Sequence, residues 1–321
     1  MSDEHAIMNK TAPMDRNCFL YTILKKLTTL VGTISLEKGQ RVGQALGRGL
    51  FRLDTRHRTI AVDNLEKALG LTRFEAEMMA RAVFENLGKI LFESVWVWTQ
   101  PHHVIAPHFT IEGFEFLKKA SAKGRGVLAL TAHFGNWELL SYVAYLTGFP
   151  IDVIYRPLDF HSLDRLVTEN RSRFGSQPIP KRRSLRPILR ALRKEHLVSF
   201  LMDQSCDWYD GVITPFFHRP VFTNKGMALV AMASKAPVVP VFLIREGARF
   251  TGRFLPEIPL VDTGDKIGDI ETNSARFAAV IENFIRQYPE QWFWVHRRWK
   301  HQMFCPWPGH VKAAKQSFSA D

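Results

Sequence analysis

The chain has 321 residues, 46% of them hydrophobic and 23% charged, ordinary globular values that exclude a disordered or fibrous polymer and supply a full core. Its 43 Lys and Arg outnumber 31 Asp and Glu, and the resulting net charge of +12 speaks to partners rather than fold: an anionic membrane, an acidic carrier protein or nucleic acid would be attracted. Cys18, Cys206 and Cys305 stand far apart with no C-x-x-C spacing, which argues against a disulfide framework or a cysteine zinc site and fits a reducing compartment.

From the N-terminus, Met1 to Lys10 is mixed in charge, with no small-residue cleavage site after an apolar run, so no signal peptide is expected. Between Cys18 and Leu36 the apolar residues Leu20, Ile23, Leu24, Leu27, Leu30, Val31 and Ile34 follow helical periodicity, with Lys25 and Lys26 on the polar face. The uninterrupted apolar length is far below the ~20 residues of a membrane span. Such a helix either lies in a membrane interface or packs on a soluble core. Residues 1–40 are therefore read as an N-terminal amphipathic, membrane-associating segment, 41–310 as one catalytic domain and 311–321 as a tail; no Pro/Gly/Ser-rich linker divides the middle.

Gln40 to Trp98 is helical in pattern, and Thr72 with Glu75 reads as a capping box. Phe109–Gly113 is short and extended, Phe114–Lys123 helical, and Gly126–Thr131 a short apolar run expected to be a buried strand. The alternation continues with a helix from Trp137, a strand at Ile151–Tyr155, helices at Leu163–Phe174 and Leu185–Lys194, and a strand at Leu197–Met202. A helix at Thr223–Ser234, strands at Pro237–Ile244 and Ala248–Phe254, and a last helix capped by Thr272 complete it. This predicts an α/β fold: a mixed, largely parallel sheet flanked by helices, with an N-terminal helical region. The positive charge gathers at Arg171 to Lys194 and at Arg297, Arg298 and Lys300.

The sharpest chemical feature is His133-Phe134-Gly135-Asn136-Trp137-Glu138, directly after the Gly126–Thr131 strand. Five helical steps make about 500°, so His133 and Glu138 share no helical face and meet only if the chain turns between them. Gly135 permits the turn, Asn136 is a good N-cap, and His133 then sits at the strand's carboxyl end, where sites of open α/β sheets lie. A hydroxyl nucleophile needs a base, and histidine titrates in the useful range; a carboxylate, here Glu138, on its other ring nitrogen would fix the tautomer. The bare spacing also fits a surface histidine near a helix start.

These residues resemble the HX4(D/E) signature of lysophospholipid-type acyltransferases, and more narrowly the bacterial lipid A biosynthesis acyltransferases of the lauroyl/myristoyl type. The resemblance extends to Asn64-Leu65, Tyr155-Arg156-Pro157, Asn170-Arg171, Asp203-Gln204, Phe216-Phe217, Pro237 to Pro240 and the closing block Tyr288 to Lys300, in order from about Arg58 onward. It implies acyl transfer from acyl carrier protein, or coenzyme A, to a hydroxyl of a lipid A precursor at the cytoplasmic face of the inner membrane. It implies His133 as general base, Glu138 as its orienter, and Arg156 and Arg171 as binders of phosphate or of the thioester carbonyl. Asn136, Asp203, Gln204 and Arg297 are further substrate-binding candidates, though Asp203 and Gln204 also suit a purely structural role. No metal and no cofactor is expected: His102, His103, His108, His296 and His301 lack companions at ligand spacing.

Other classes fit less well. A serine hydrolase would carry G-x-S-x-G, which is absent. A nucleic-acid-binding protein is permitted by charge, but no motif of that kind is present, so no nucleic-acid partner is expected. A basic binding protein without catalysis, and an acyltransferase for another acceptor such as a glycerolipid, lipoamino acid or glycolipid, remain as alternatives.

Overall fold

The computed structural model of the chain describes residues 16–299; the first fifteen residues, Lys300, His301, Cys305 and the expected 311–321 tail lie outside them. The first hundred residues form helices α1 (Arg16–Gly32), α2 (Leu36–Leu53), α3 (Thr55–Leu69) and α4 (Arg73–Thr99), followed by the short α5 (His102–Ile105). Then come β1 (Phe109–Glu112), α6 (Phe114–Ser121), β2 (Val127–Thr131), α7 (Leu140–Thr147), β3 (Ile151–Tyr155) and α8 (His161–Arg173). The chain continues through β4 (Gln177–Pro180), α9 (Leu185–Arg193), β5 (Leu197–Leu201), β6 (Gly211–Phe216) and β7 (Arg219–Asn224). It closes with α10 (Gly226–Ser234), β8 (Val238–Glu246), β9 (Arg249–Phe254) and α11 (Lys266–Gln287).

Local chemistry accounts for several boundaries. The Thr72 hydroxyl accepts from the Glu75 N–H while the Glu75 carboxylate accepts from the Thr72 N–H at 2.8 Å, the reciprocal cap expected for α4. The last helix starts earlier than Thr272: Asp265 caps α11 by accepting from the Ile267 and Gly268 N–H groups. Gly268 in the first turn hides that start from propensity reasoning.

The sheet has seven strands in the order β1-β9-β8-β2-β5-β3-β4. The run from β8 to β4 is parallel, and β9 joins β8 antiparallel. This is the mixed, largely parallel sheet expected. Strand β2 is covered on both faces, which is why it reads as a continuous apolar run. Leu128 and Leu130 enter one core cluster with Ile188, Leu192, Met227 and Phe277. Val127 and Ala129 enter the other with Leu140, Val143 and Phe174. Helices α7 and α8 thus lie on one face of the sheet, α9, α10 and α11 on the other, as right-handed crossovers require.

The N-terminal helices stack outside this core. The expected boundary at residue 40 falls within α2. Its inner face meets α4 backbone to backbone: a Cβ on Gly43 would sit 2.5 Å from the Gly88 carbonyl oxygen. Its outer face presents Val42, Leu46, Leu50 and Leu53 to solvent, and α1 presents Phe19, Ile23, Leu27 and Leu30. Among the described residues no single helix is long and apolar enough to cross a membrane; Asn17–Gly32 and Leu36–Leu53 pass that test only as a pair bent by 116°.

Candidate active site

Strands β2 and β5 are adjacent and parallel, with Thr131 opposite Leu201. Two residues further along each strand stand His133 and Asp203. From β2 the chain leaves toward β3, and from β5 toward β8, so the crevice between their carboxyl ends is a topological switch point, where open α/β sheets bind ligands. His133 Nδ1 lies 2.9 Å from Asp203 Oδ1, and the His133 backbone N–H donates to Oδ2 at 3.0 Å. The Trp292 indole donates to the same oxygen at 2.8 Å. Asp203 is 1% exposed at its side chain and His133 20%. Burial alone would push the Asp203 carboxyl up, but the His133 charge and the hydrogen bonds from His133 and Trp292 outweigh it and hold the carboxyl below the usual carboxylate range. An ionised Asp203 on Nδ1 keeps the proton there and leaves Nε2 as the basic nitrogen. The imidazole is walled by Trp137 and Phe293, with ring centroids at 5.1 and 6.1 Å.

This corrects the expected pairing. The carboxylate on the second ring nitrogen is Asp203, not Glu138. Glu138 lies in the short turn of 3-10 helix Trp137–Leu139 and faces α8, where Arg171 clamps it with Nε at 2.9 Å and Nη2 at 2.7 Å. The two side chains are 17% and 18% exposed, so this bidentate pair lines the reachable part of the site.

The loop between them is fixed from below. Gly135 has φ of +57°, and a Cβ there would lie 1.9 Å from the Leu243 carbonyl oxygen. Its N–H donates to the Gln291 carbonyl at 2.9 Å, so it is not free to donate to a substrate oxyanion. Asn136 occupies the N-cap position, but its side chain makes no capping bond. The amide is buried instead, donating to Glu93 Oε2 at 3.1 Å and to the Ile90 carbonyl at 3.2 Å. Glu93 is in turn paired with Arg245 at 2.6 Å and accepts from Gln40 at 2.8 Å. Asn136 therefore positions the loop and has no open path to substrate.

The remaining candidates separate. The Gln204 amide is 3.3 Å from His133 Nε2, on the side a substrate hydroxyl must approach. Arg156, at the carboxyl end of β3, is 80% exposed and reaches only Asp159, at 3.6 Å. Arg297 is exposed and has no ion pair among the described residues; its neighbour Arg298 is the one turned inward. Arg298 donates to the carbonyls of Gln204 and Phe222 at 2.9 and 2.6 Å and to the Thr223 hydroxyl at 2.8 Å. Burial pushes its pKa down to about 10, against the pull of Asp203. His296 accepts from the Ser205 N–H at 2.9 Å, and burial, together with Arg298 and His133, lowers its pKa. Asn64 ties α3 to the same block through the Trp294 and His296 carbonyls at 2.8 and 2.9 Å. Sequence reasoning missed Arg298 and Trp292 as site neighbours; only their place in the basic, aromatic closing block pointed to them.

The sequence profile of the bacterial lipid A biosynthesis acyltransferases matches residues 12–301. The chain is 32% identical over 267 residues to the lipid A biosynthesis palmitoleoyltransferase of Escherichia coli (strain K12), covering 82% of this chain and 83% of that one. It is 30% identical over 262 residues to the lipid A biosynthesis lauroyltransferase of the same organism, covering 81% and 84%. A phosphatidylinositol mannoside acyltransferase of Mycolicibacterium smegmatis (strain ATCC 700084 / mc(2)155) is 24% identical over 224 residues, covering 69% and 72%.

Proposed function

The chain belongs to the bacterial lipid A biosynthesis acyltransferase family, and on that premise we propose that it moves a fatty acyl group from an acyl carrier protein thioester to a hydroxyl of a lipid A precursor. The observation that carries the reading is the His133–Asp203 contact of 2.9 Å, which leaves Nε2 basic at the mouth of the crevice. As the acceptor oxygen attacks the thioester carbonyl, Nε2 takes its proton, and a C–O bond forms. The imidazolium is stabilised by ionised Asp203. The tetrahedral oxyanion collapses, the C–S bond breaks, and the departing thiolate takes the proton back from His133. An ester and a free carrier thiol result, and the protein ends in its starting state.

Arg171, oriented by its two contacts with Glu138, has further N–H groups to donate to the thioester carbonyl or to a substrate phosphate. In this reading Glu138 acts through Arg171. Gln204 holds Nε2 until the hydroxyl displaces it. Coenzyme A thioesters are a second donor class. The mannoside acyltransferase relative favours a glycolipid or glycerolipid as the second reading of the acceptor.

The protein works at the cytoplasmic face of the inner membrane in this proposal, attached by the outward apolar residues of α1 and α2, which the basic Lys38, Arg41 and Arg52 flank. Each leucine that enters lipid contributes roughly 1.5–3 kcal/mol. Replacing Leu46 and Leu50 together by Glu is expected to lower sedimentation with anionic vesicles by about tenfold or more; unchanged sedimentation would remove α2 from the contact. The reaction is tested by mixing the protein with lauroyl-, myristoyl- and palmitoyl-acyl carrier protein and a tetra-acylated lipid A precursor, and reading the added acyl mass. A mass gain is expected. Donor consumption without acylated lipid would make the protein a thioesterase, and an intact donor would move the acceptor elsewhere.

A further inference from the structure

We propose that the outward face of α9 is the docking surface for an acidic face of the carrier protein that delivers the thioester. The proposal rests on the donor assignment above. Helix α9 buries Ile188, Ala191 and Leu192 and turns Arg186, Arg190 and Arg193 to solvent, spaced by four and three residues on one face. Arg182 and Arg183 precede it and Lys194 follows, all exposed.

Several arginines elsewhere on the surface are neutralised. Arg73 pairs with Asp63 at 3.1 Å, Arg165 with Glu169 at 2.8 Å, Arg253 with Glu112 at 2.7 Å and Arg286 with Glu282 at 2.7 Å. Among the described residues none of the six cations on and beside α9 has an acidic partner, and only Lys181, just before them, approaches one, Asp210 at 3.9 Å. Like charges three and four residues apart repel, and Arg186 sits in the first turn, against the positive end of the helix dipole, with no acid there to offset it. Arg183 also holds a φ of +58°, unusual for a residue with a side chain. The fold gains nothing internal from this concentration of charge.

Its position suits a protein partner better than a bilayer. The strand before α9 ends level with the crevice, since β4, β3, β5 and β2 are parallel neighbours. Three inter-strand steps put the start of the basic stripe about 14 Å from the end of β2. A pantetheine arm, comparable in length to about five extended residues or some 17 Å, spans that gap. From there the stripe descends the side of the sheet: Arg186 to Arg193 advances about 10 Å along the helix. It lies on the sheet face opposite α8, against which α1 packs. A flat surface over the strand ends touches only its top, whereas a folded acidic partner standing beside the sheet touches its length.

The test uses the full chain and two triple variants, Arg186→Glu with Arg190→Glu and Arg193→Glu, and the same three positions changed to Gln. Fluorescently labelled holo-acyl carrier protein is titrated at low ionic strength. The Kd is expected to rise about tenfold or more in the Glu variant and less in the Gln variant, and wild-type affinity to fall with added salt. An unchanged Kd in both variants, or no binding by the wild type, overturns the proposal. So does loss of sedimentation with phosphatidylglycerol vesicles while carrier binding persists, which would assign the patch to lipid. Carrier binding that depends on the patch, without any lipid acylation, would keep the docking surface and sink the acceptor reading. Transfer from a coenzyme A thioester without carrier binding would sink the docking surface and keep the acyltransferase.

Discussion

Asp203 on the floor of the crevice and Glu138 on its rim are carboxylates flanking the same loop, and the molecule treats them differently. Asp203 is sealed at 1% exposure and accepts from the His133 ring, the His133 backbone and the Trp292 indole. Glu138 keeps 17% exposure and is held by the guanidinium of Arg171, itself 18% exposed. A carboxylate whose donors are all rigid cannot be re-aimed, so it suits fixing a tautomer. One that is partly wet and paired with a partly exposed arginine can yield part of that arginine to an incoming ligand. In the proposed mechanism the difference separates a group that sets the base from a group that sets a substrate-facing cation.

Substitutions can break that comparison. His133→Ala removes the base, and kcat/KM for transfer should fall by about 10²–10⁴ while the unfolding temperature holds. Asp203→Asn offers an amide N–H to Nδ1 and forces the proton onto Nε2; steady-state rates should drop by about 10²–10³, with less damage to KM. Glu138→Gln should be milder, about 10-fold to 10²-fold, with the loss shared by KM because Arg171 loses its anchor. If Glu138→Gln proves more harmful than Asp203→Asn, the two roles are exchanged.

The smallest effect is on stability against pH. Asp203 and His296 both have folded pKa values below their unfolded ones. Each therefore contributes stability above its unfolded pKa and loses it as pH falls toward the folded value. Urea midpoints should decline below about pH 6.5 for His296 and again below about pH 4 for Asp203. The Asp203→Asn variant should lack the lower step; a variant that keeps it would dissociate that step from Asp203.

The sequence made the sheet's inner strands legible because β2, β5 and β8 are apolar over most of their length. Strand β4 escaped because Pro178 and Pro180 read as loop, and it is an edge strand, where proline is tolerated. The β6–β7 hairpin escaped for a similar reason, with Pro215 facing Pro220. His133 was legible from its strand-end position and its motif. Its carboxylate was not, because the pairing with Asp203 depends on β5 lying beside β2 across an excursion through β3 and β4, and strand order is absent from local pattern. Between Arg297 and Arg298, only the three-dimensional course of an irregular segment decides which turns inward.

Gly135, pressed against the Leu243 carbonyl with its φ of +57°, makes the loop from His133 to Glu138 a fixed hub. Any side chain there must displace a central strand, so a library spread over positions 133–138 should return only glycine at 135 among active clones. Variation in acyl chain or acceptor has to be accommodated around this hub, by α8 and the segments beyond β5, and not by shifting the loop itself.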